Sequence, residues 1–193
     1  MEQIRAQTKG EQLVVSAVFQ NLFSKKIVGT IQSGLPSIIQ IEIRLLEGGD
    51  RQILRKQLSR TILYDIWDER YVIESHDTIQ AAQAYTDFEK VKAMTSRMEN
   101  VILVPKDILN RNATYQIRMR VGIIPISSRQ GDKVTDWLLN PNQTEENLAS
   151  EDRSSGFKLN LSSLISLFVG GDKSSKYVSS WHSAESFNIN DLK

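Results

Sequence analysis

Cysteine is absent from this chain of 193 residues. That excludes disulfides, zinc–thiolate sites, iron–sulfur clusters and a cysteine nucleophile. Histidine is scarce. His76 and His182 lie far apart, and neither has the partner three or four residues away that a helix-borne metal site shows. Both are expected in exposed loops, and no metal or cofactor is expected. Charge of one sign is not in excess: 24 Lys and Arg face 23 Asp and Glu, for a net charge of +1. Nucleic-acid binders ordinarily carry a strong basic surplus, so nucleic acid is not an expected partner. No apolar run reaches the roughly 18 residues that span a bilayer. A G-x-S-x-G nucleophile elbow is missing. The glycines of "VGGDKSSK" (Val169–Lys176) follow a helical pattern without the spacing of a phosphate loop.

What is present is the pattern of a β protein. "EQLVVSAVFQN" (Glu11–Asn21) reads as a strand. Ser24 caps a short helix whose Ile27 and Ile31 share one face, and Gly34 and Pro36 end it. From there Ile39, Ile41, Ile43 and Leu45 alternate with Gln40, Glu42 and Arg44, the period of a half-buried strand. Gly48 and Gly49 of "EGGD" supply a hairpin turn. The returning "RQILRKQLSRTILYDIW" fits a helix or a strand by spacing; the turn and its β-forming residues favour strand. A strand "YVIES" follows. Then comes a helix "TDFEKVKAMTSRM", with Thr86 and Glu89 as capping box and Phe88, Val91, Met94 and Met98 as buried stripe. "NVILVP" and "ATYQIRMRVGIIP" complete the strands, the latter with Tyr115, Ile117, Met119 and Val121 inward. The expected fold is mostly β: an immunoglobulin-like β-sandwich over 1–139 with two or three short helices, a polar linker over 140–156, and a C-terminal amphipathic helix and aromatic tail over 157–193.

Three groups of residues invite a functional reading. Asp65, Asp68 and Glu69 surround Trp67, as paired carboxylates do in glycan hydrolysis, although strand-end carboxylates also serve turns. "RKQLSR" (Arg55–Arg60) would form a basic stripe with Arg118 and Arg120 if their strands were neighbours; a solvated sheet face with interspersed carboxylates is the favoured explanation. The C-terminal helix, with Leu161, Leu164, Ile165, Leu167 and Phe168 on its apolar side, must bury that side on its own sandwich or on a partner. Its low charge favours a protein over a lipid surface, with peripheral membrane association as the lesser expectation. The candidate partner-binding residues are Leu164, Ile165, Phe168, Trp181 and Phe187.

The stretch "LVVSAVFQNLFSKKIVGTIQSGLPSIIQIEIRLLE", with "LYDIWDERYVI", "FEKVKAM", "YQIRMRVGI" and the tail Trp181-His182-Ser183 with Phe187, resembles a family of exported bacterial proteins, domain of unknown function 4390. The resemblance implies an exported, mostly β protein with no catalytic residues to carry over. The opening "MEQIRAQTKGEQ" has no apolar signal core, so export would require a signal removed from ahead of it. The expected function is a non-catalytic cell-envelope protein, periplasmic in location, acting as a structural or protein-binding module. The alternatives are a glycan hydrolase using the carboxylates near Trp67, a lipid-binding sandwich, and a cytoplasmic location.

Overall fold

The alternating runs become strands in the computed structural model, which describes residues 3–76, 81–125 and 177–192. The chain forms β1 (Gln3–Lys9), β2 (Gln12–Val18), α1 (Lys25–Gln32), β3 (Ser37–Glu47), β4 (Arg51–Asp65), β5 (Arg70–Ser75) and β6 (Gln83–Tyr85). It continues with α2 (Phe88–Thr95), β7 (Arg97–Pro105) and β8 (Thr114–Pro125). After residues 126–176 the tail adds β9 (Tyr177–Val178), β10 (His182–Ser183) and β11 (Phe187–Asn188). The fold is mostly β, with two α-helices among the described residues and two open antiparallel sheets. No helix among those residues is long and apolar enough to cross a membrane.

The smaller sheet has the order β1-β2-β7; the larger, eight-stranded sheet runs β10-β8-β3-β4-β5-β6, with β9 and β11 also on β8. β3 is flanked along its whole length, by β8 from Ser37↔Pro125 to Glu47↔Tyr115 and by β4 from Ser37↔Ile62 to Glu47↔Arg51. One face of these three strands is apolar. Ile39, Ile41, Ile43, Leu45, Leu58, Ile62, Ile117, Met119, Val121 and Ile123 join Leu13, Val15 and Ala17 of the small sheet in a single core. Two cations of β4 reach across to the smaller sheet's side of the core. Lys56 Nζ donates to the carbonyl of Ile102 at 2.8 Å, and Arg60 Nη1 to those of Met94 and Arg97, each at 3.2 Å.

Local chemistry explains most of the joints. Ser24 Oγ accepts the amide of Ile27 at 3.3 Å and so caps α1, whose Ile27 and Ile31 are buried. Gly34 then adopts φ +82, with Ile66 Cγ2 and Tyr64 O close to where a Cβ would stand. Gly48 and Gly49 both take positive φ in the β3–β4 turn.

Several expectations need correction. The polar opening contains β1, which pairs with β2 from Gln3↔Val18 to Lys9↔Gln12. The cap of α2 is Asp87, whose Oδ1 accepts the amide of Glu89 at 2.8 Å; it is not Thr86. With the helix beginning at Phe88, its inward positions are Val91 and Thr95, so Met94 is 49% exposed and Met98 is buried from the next strand instead. The expected linker and C-terminal helix lie outside the described residues.

Gly34 and Gly29 make a paired test. Gly34→Ala should cost about 1–2 kcal/mol, because a Cβ disfavours the left-handed conformation by that amount. Gly29→Ala, inside α1 with open space around it, should raise stability by about 0.5–1 kcal/mol. Urea denaturation of both variants checks the signs. Equal effects would contradict the described φ at Gly34.

Candidate functional site

The face of β3 that points away from the core was expected to be solvated. Glu42 on that face is only 3% exposed. The register places Arg120 opposite Glu42, and Arg118 and Arg55 on either side of Arg44. Side chains two residues apart on a strand share a face, so Arg44 also leans toward Glu42. Arg44 donates to Glu42 Oε1 from Nε at 3.1 Å and from Nη2 at 2.9 Å. Arg55 Nε donates to the same oxygen at 2.8 Å. Arg120 occupies the other oxygen, Oε2, with Nε at 2.8 Å and Nη2 at 2.6 Å. Burial alone would raise the pKa of Glu42. The hydrogen bonds from Arg44 and Arg120, with the charges of Arg120 and Arg55, outweigh it and hold the carboxyl below its ordinary value.

The tail closes over this cluster. β9, β10 and β11 follow the outer edge of β8 in turn, pairing at Gly122↔Val178, His182↔Met119 and Phe187↔Tyr115. Single backbone bonds fill in between: Ser179 N–H donates to Val121 O and Ala184 N–H to Ile117 O, each at 2.8 Å. Trp181 thereby lies against two of the guanidiniums, with Arg44 Cζ 4.4 Å and Arg120 Cζ 4.8 Å from its ring centroid. These are cation–π distances. Phe187 packs on the buried Tyr115, ring centroids 6.1 Å apart. Gly122 lets the strap approach closely, since a Cβ there would stand 3.0 Å from Tyr177 O.

Beside the cluster, a surface hollow of about 320 Å³ is lined by Arg44, Arg118, Trp181, Ser183, Gln52 and Asp50, among others. Arg118 donates from Nε to Gln116 Oε1 at 3.0 Å and from Nη2 to Gly49 O at 3.4 Å. Both acceptors are neutral, and among the described residues no ion pair involves Arg118. Among the described residues, the part of the face around β3 therefore carries four guanidiniums around one fully engaged carboxylate.

The other candidates are placed as follows. Of the five partner-binding residues, Trp181 and Phe187 contact their own sheet, while Leu164, Ile165 and Phe168 fall outside the described residues. Trp67 is 90% exposed at the β4–β5 turn. Asp65 Oδ1 accepts the amides of Trp67 at 3.0 Å and Asp68 at 3.1 Å, and Asp68 pairs with Arg70 at 2.6 Å. The two backbone bonds, from Asp68 first and Trp67 second, hold the Asp65 carboxyl below its ordinary value. A carboxylate tied into a turn in this way is a poor proton donor. His76 bonds Thr61 Oγ1 at 2.7 Å, and His182 sits within β10 instead of a loop; both are half-buried. The basic stripe assembles only in part, and across β3: Arg55 and Arg120 reach the same carboxylate from opposite sides, whereas Lys56 and Arg60 point to the core side of the sheet. Glu42 and Arg44 escaped the sequence reading as site residues. The Glu-x-Arg pair inside an alternating strand was the available signal.

A family model described as "Domain of unknown function (DUF4390)" matches residues 1–123, a span that includes Glu42 and all four arginines. No curated protein and no solved structure matches the chain.

Glu42→Gln should lower the unfolding free energy by about 1–3 kcal/mol at neutral pH, the usual cost of leaving charged partners unsatisfied. The arginines are partly exposed, which keeps the effect below that of a deeply buried pair. Since the folded-state pKa lies below the unfolded one, the carboxylate's contribution is complete above the unfolded glutamate value of about 4.3. It is lost as pH falls through the lowered folded value. Urea titrations of both proteins should show a gap that narrows with acidification. A gap independent of pH would remove the carboxylate from this account.

Proposed function

The chain belongs to the family described as domain of unknown function DUF4390, and from that premise we propose that it is a non-catalytic cell-envelope protein that binds a protein partner. The observation that carries this reading is the surplus of fixed positive charge on the outer face of the large sheet. Arg44, Arg55, Arg118 and Arg120 stand around the single carboxylate of Glu42. Side chains already held by hydrogen bonds and by Trp181 lose little further freedom on binding. Arginine also suits this role because its planar fork matches a carboxylate and is weakly hydrated for a cation. The partner is accordingly an acidic protein surface. Location in the envelope rests on the resemblance to exported proteins. An immunoglobulin-like sandwich is our finer reading of two antiparallel sheets that share one core. The hydrolase alternative draws no support from Asp65, whose carboxyl holds the turn.

The test is capture from envelope extract by the tagged full chain, with the captured protein identified, purified and recombined. Arg55→Glu should weaken the reconstituted complex at least tenfold, and wild-type binding should fall as salt shortens the Debye length from about 30 Å at 0.01 M to about 8 Å at 0.15 M. Undiminished binding by an Arg55→Glu protein that melts like the wild type would contradict the proposal.

A further inference from the structure

We propose that the hollow between the β3–β4 turn and the tail is an oxyanion site, in which Arg118 and Arg44 hold a carboxylate or phosphate group beside Trp181. The inference rests on the proposed reading in taking this face as a binding surface, and it names the group that the face receives. Arg118 is the centre of the argument. Its guanidinium is half-buried on β8, and among the described residues it meets neutral acceptors only: Gln116 Oε1 at 3.0 Å and Gly49 O at 3.4 Å. A guanidinium has five N–H donors in a rigid fork, more than these two contacts use. Arg44, across the strand pair from Arg118, is turned the other way, with Nε and Nη2 on Glu42. It contributes charge to the hollow while its orientation is fixed.

The charge balance favours an anion. Two guanidiniums line the hollow against one carboxylate, that of the exposed Asp50 on the rim. Glu42 cannot neutralise Arg118, because its two oxygens are taken by Arg44, Arg55 and Arg120. Ser183 and Gln52 add hydroxyl and amide donors to the lining, and Trp181 supplies a flat apolar side. Tethered donors with a fixed fork select oxyanions that accept two hydrogen bonds over a spherical halide.

The experiment is a titration of the full chain carrying Trp67→Phe and Trp137→Phe, which leaves Trp181 as the reporting indole. Sodium phosphate and sodium acetate are compared with sodium chloride at equal ionic strength, by fluorescence and by the NMR signals of the arginine Nε–H groups. The expected result is a saturable shift that chloride does not produce and that Arg118→Ala weakens at least tenfold. Arg118→Lys should recover part of the affinity, and Arg5→Ala on the distant strand β1 should change nothing. A response to phosphate alone identifies a phosphate group as the ligand, and a response to acetate alone identifies a carboxylate. A response equal to that of chloride, or one retained by a folded Arg118→Ala protein, would overturn the site. Its failure is distinguishable from that of the broader reading. Partner capture sensitive to Arg55→Glu with no anion response sinks the pocket alone, whereas an anion response with no partner sinks only the protein-binding reading.

Discussion

A carboxylate withdrawn from water must be met by positive charge, and in this protein that requirement organises an entire sheet face. Glu42 sits mid-strand on β3 with its side chain almost wholly covered. Its compensation comes from β3 itself, from β4 through Arg55, from β8 through Arg120, and indirectly from the tail through Trp181. Such a cluster is not a strong source of net stability, since desolvation opposes the Coulombic gain. Its effect is to specify register. A one-residue slip of β3 would carry Glu42 to the apolar face and Ile41 or Ile43 to the charged one.

The two faces of the central strands therefore have different tasks. The inner face closes a single apolar core with the small sheet and the helices. Around its margin, Phe88 of α2 meets Phe23 at 5.4 Å and Tyr71 at 5.2 Å between ring centroids, which joins the helix to both the α1 approach and β5. The outer face holds charge in a defined geometry and presents it beside a hollow. The tail links the two faces. It covers the β8 edge, which would otherwise offer unpaired backbone groups to another chain. It also delivers Trp181 to the outer side and Phe187 to the inner one.

What was readable in the sequence follows the range of the interactions involved. Ser24, Gly34, Gly48 and Gly49 act within a few residues, and the alternation from Ile39 to Leu45 needs only a period of two; all of these appear as expected. The strand β1 was not readable, because "QIRAQTK" offers only Ile4 and Ala6 to the core and otherwise resembles a polar arm. The α2 stripe was right at Phe88 and Val91 and wrong beyond them. Continuing the stripe three residues beyond Val91 placed Met94 inward, where the helix buries Thr95, four residues on. The site was the least readable part. A Glu flanked by polar neighbours on an alternating strand looks solvated until β4 and β8 are known to flank it on both sides, with a tryptophan from the distant tail above. Three of its members, Arg55, Arg118 and Arg120, were recognised as a possible stripe, but the carboxylate that joins Arg55 to Arg120 was not.

The most direct test of this account is a double-mutant cycle between Glu42 and Trp181, measured by urea denaturation of the wild type, Glu42→Gln, Trp181→Ala and the double variant. Residues that act through one network fail to be additive, by about 0.5–3 kcal/mol in general. If Glu42 positions Arg44 and Arg120 for the indole, the coupling should reach about 1 kcal/mol within that range, with the second substitution costing less once the first is made. Strict additivity would mean that the carboxylate and the strap are independent features, and that Glu42 does not organise the face.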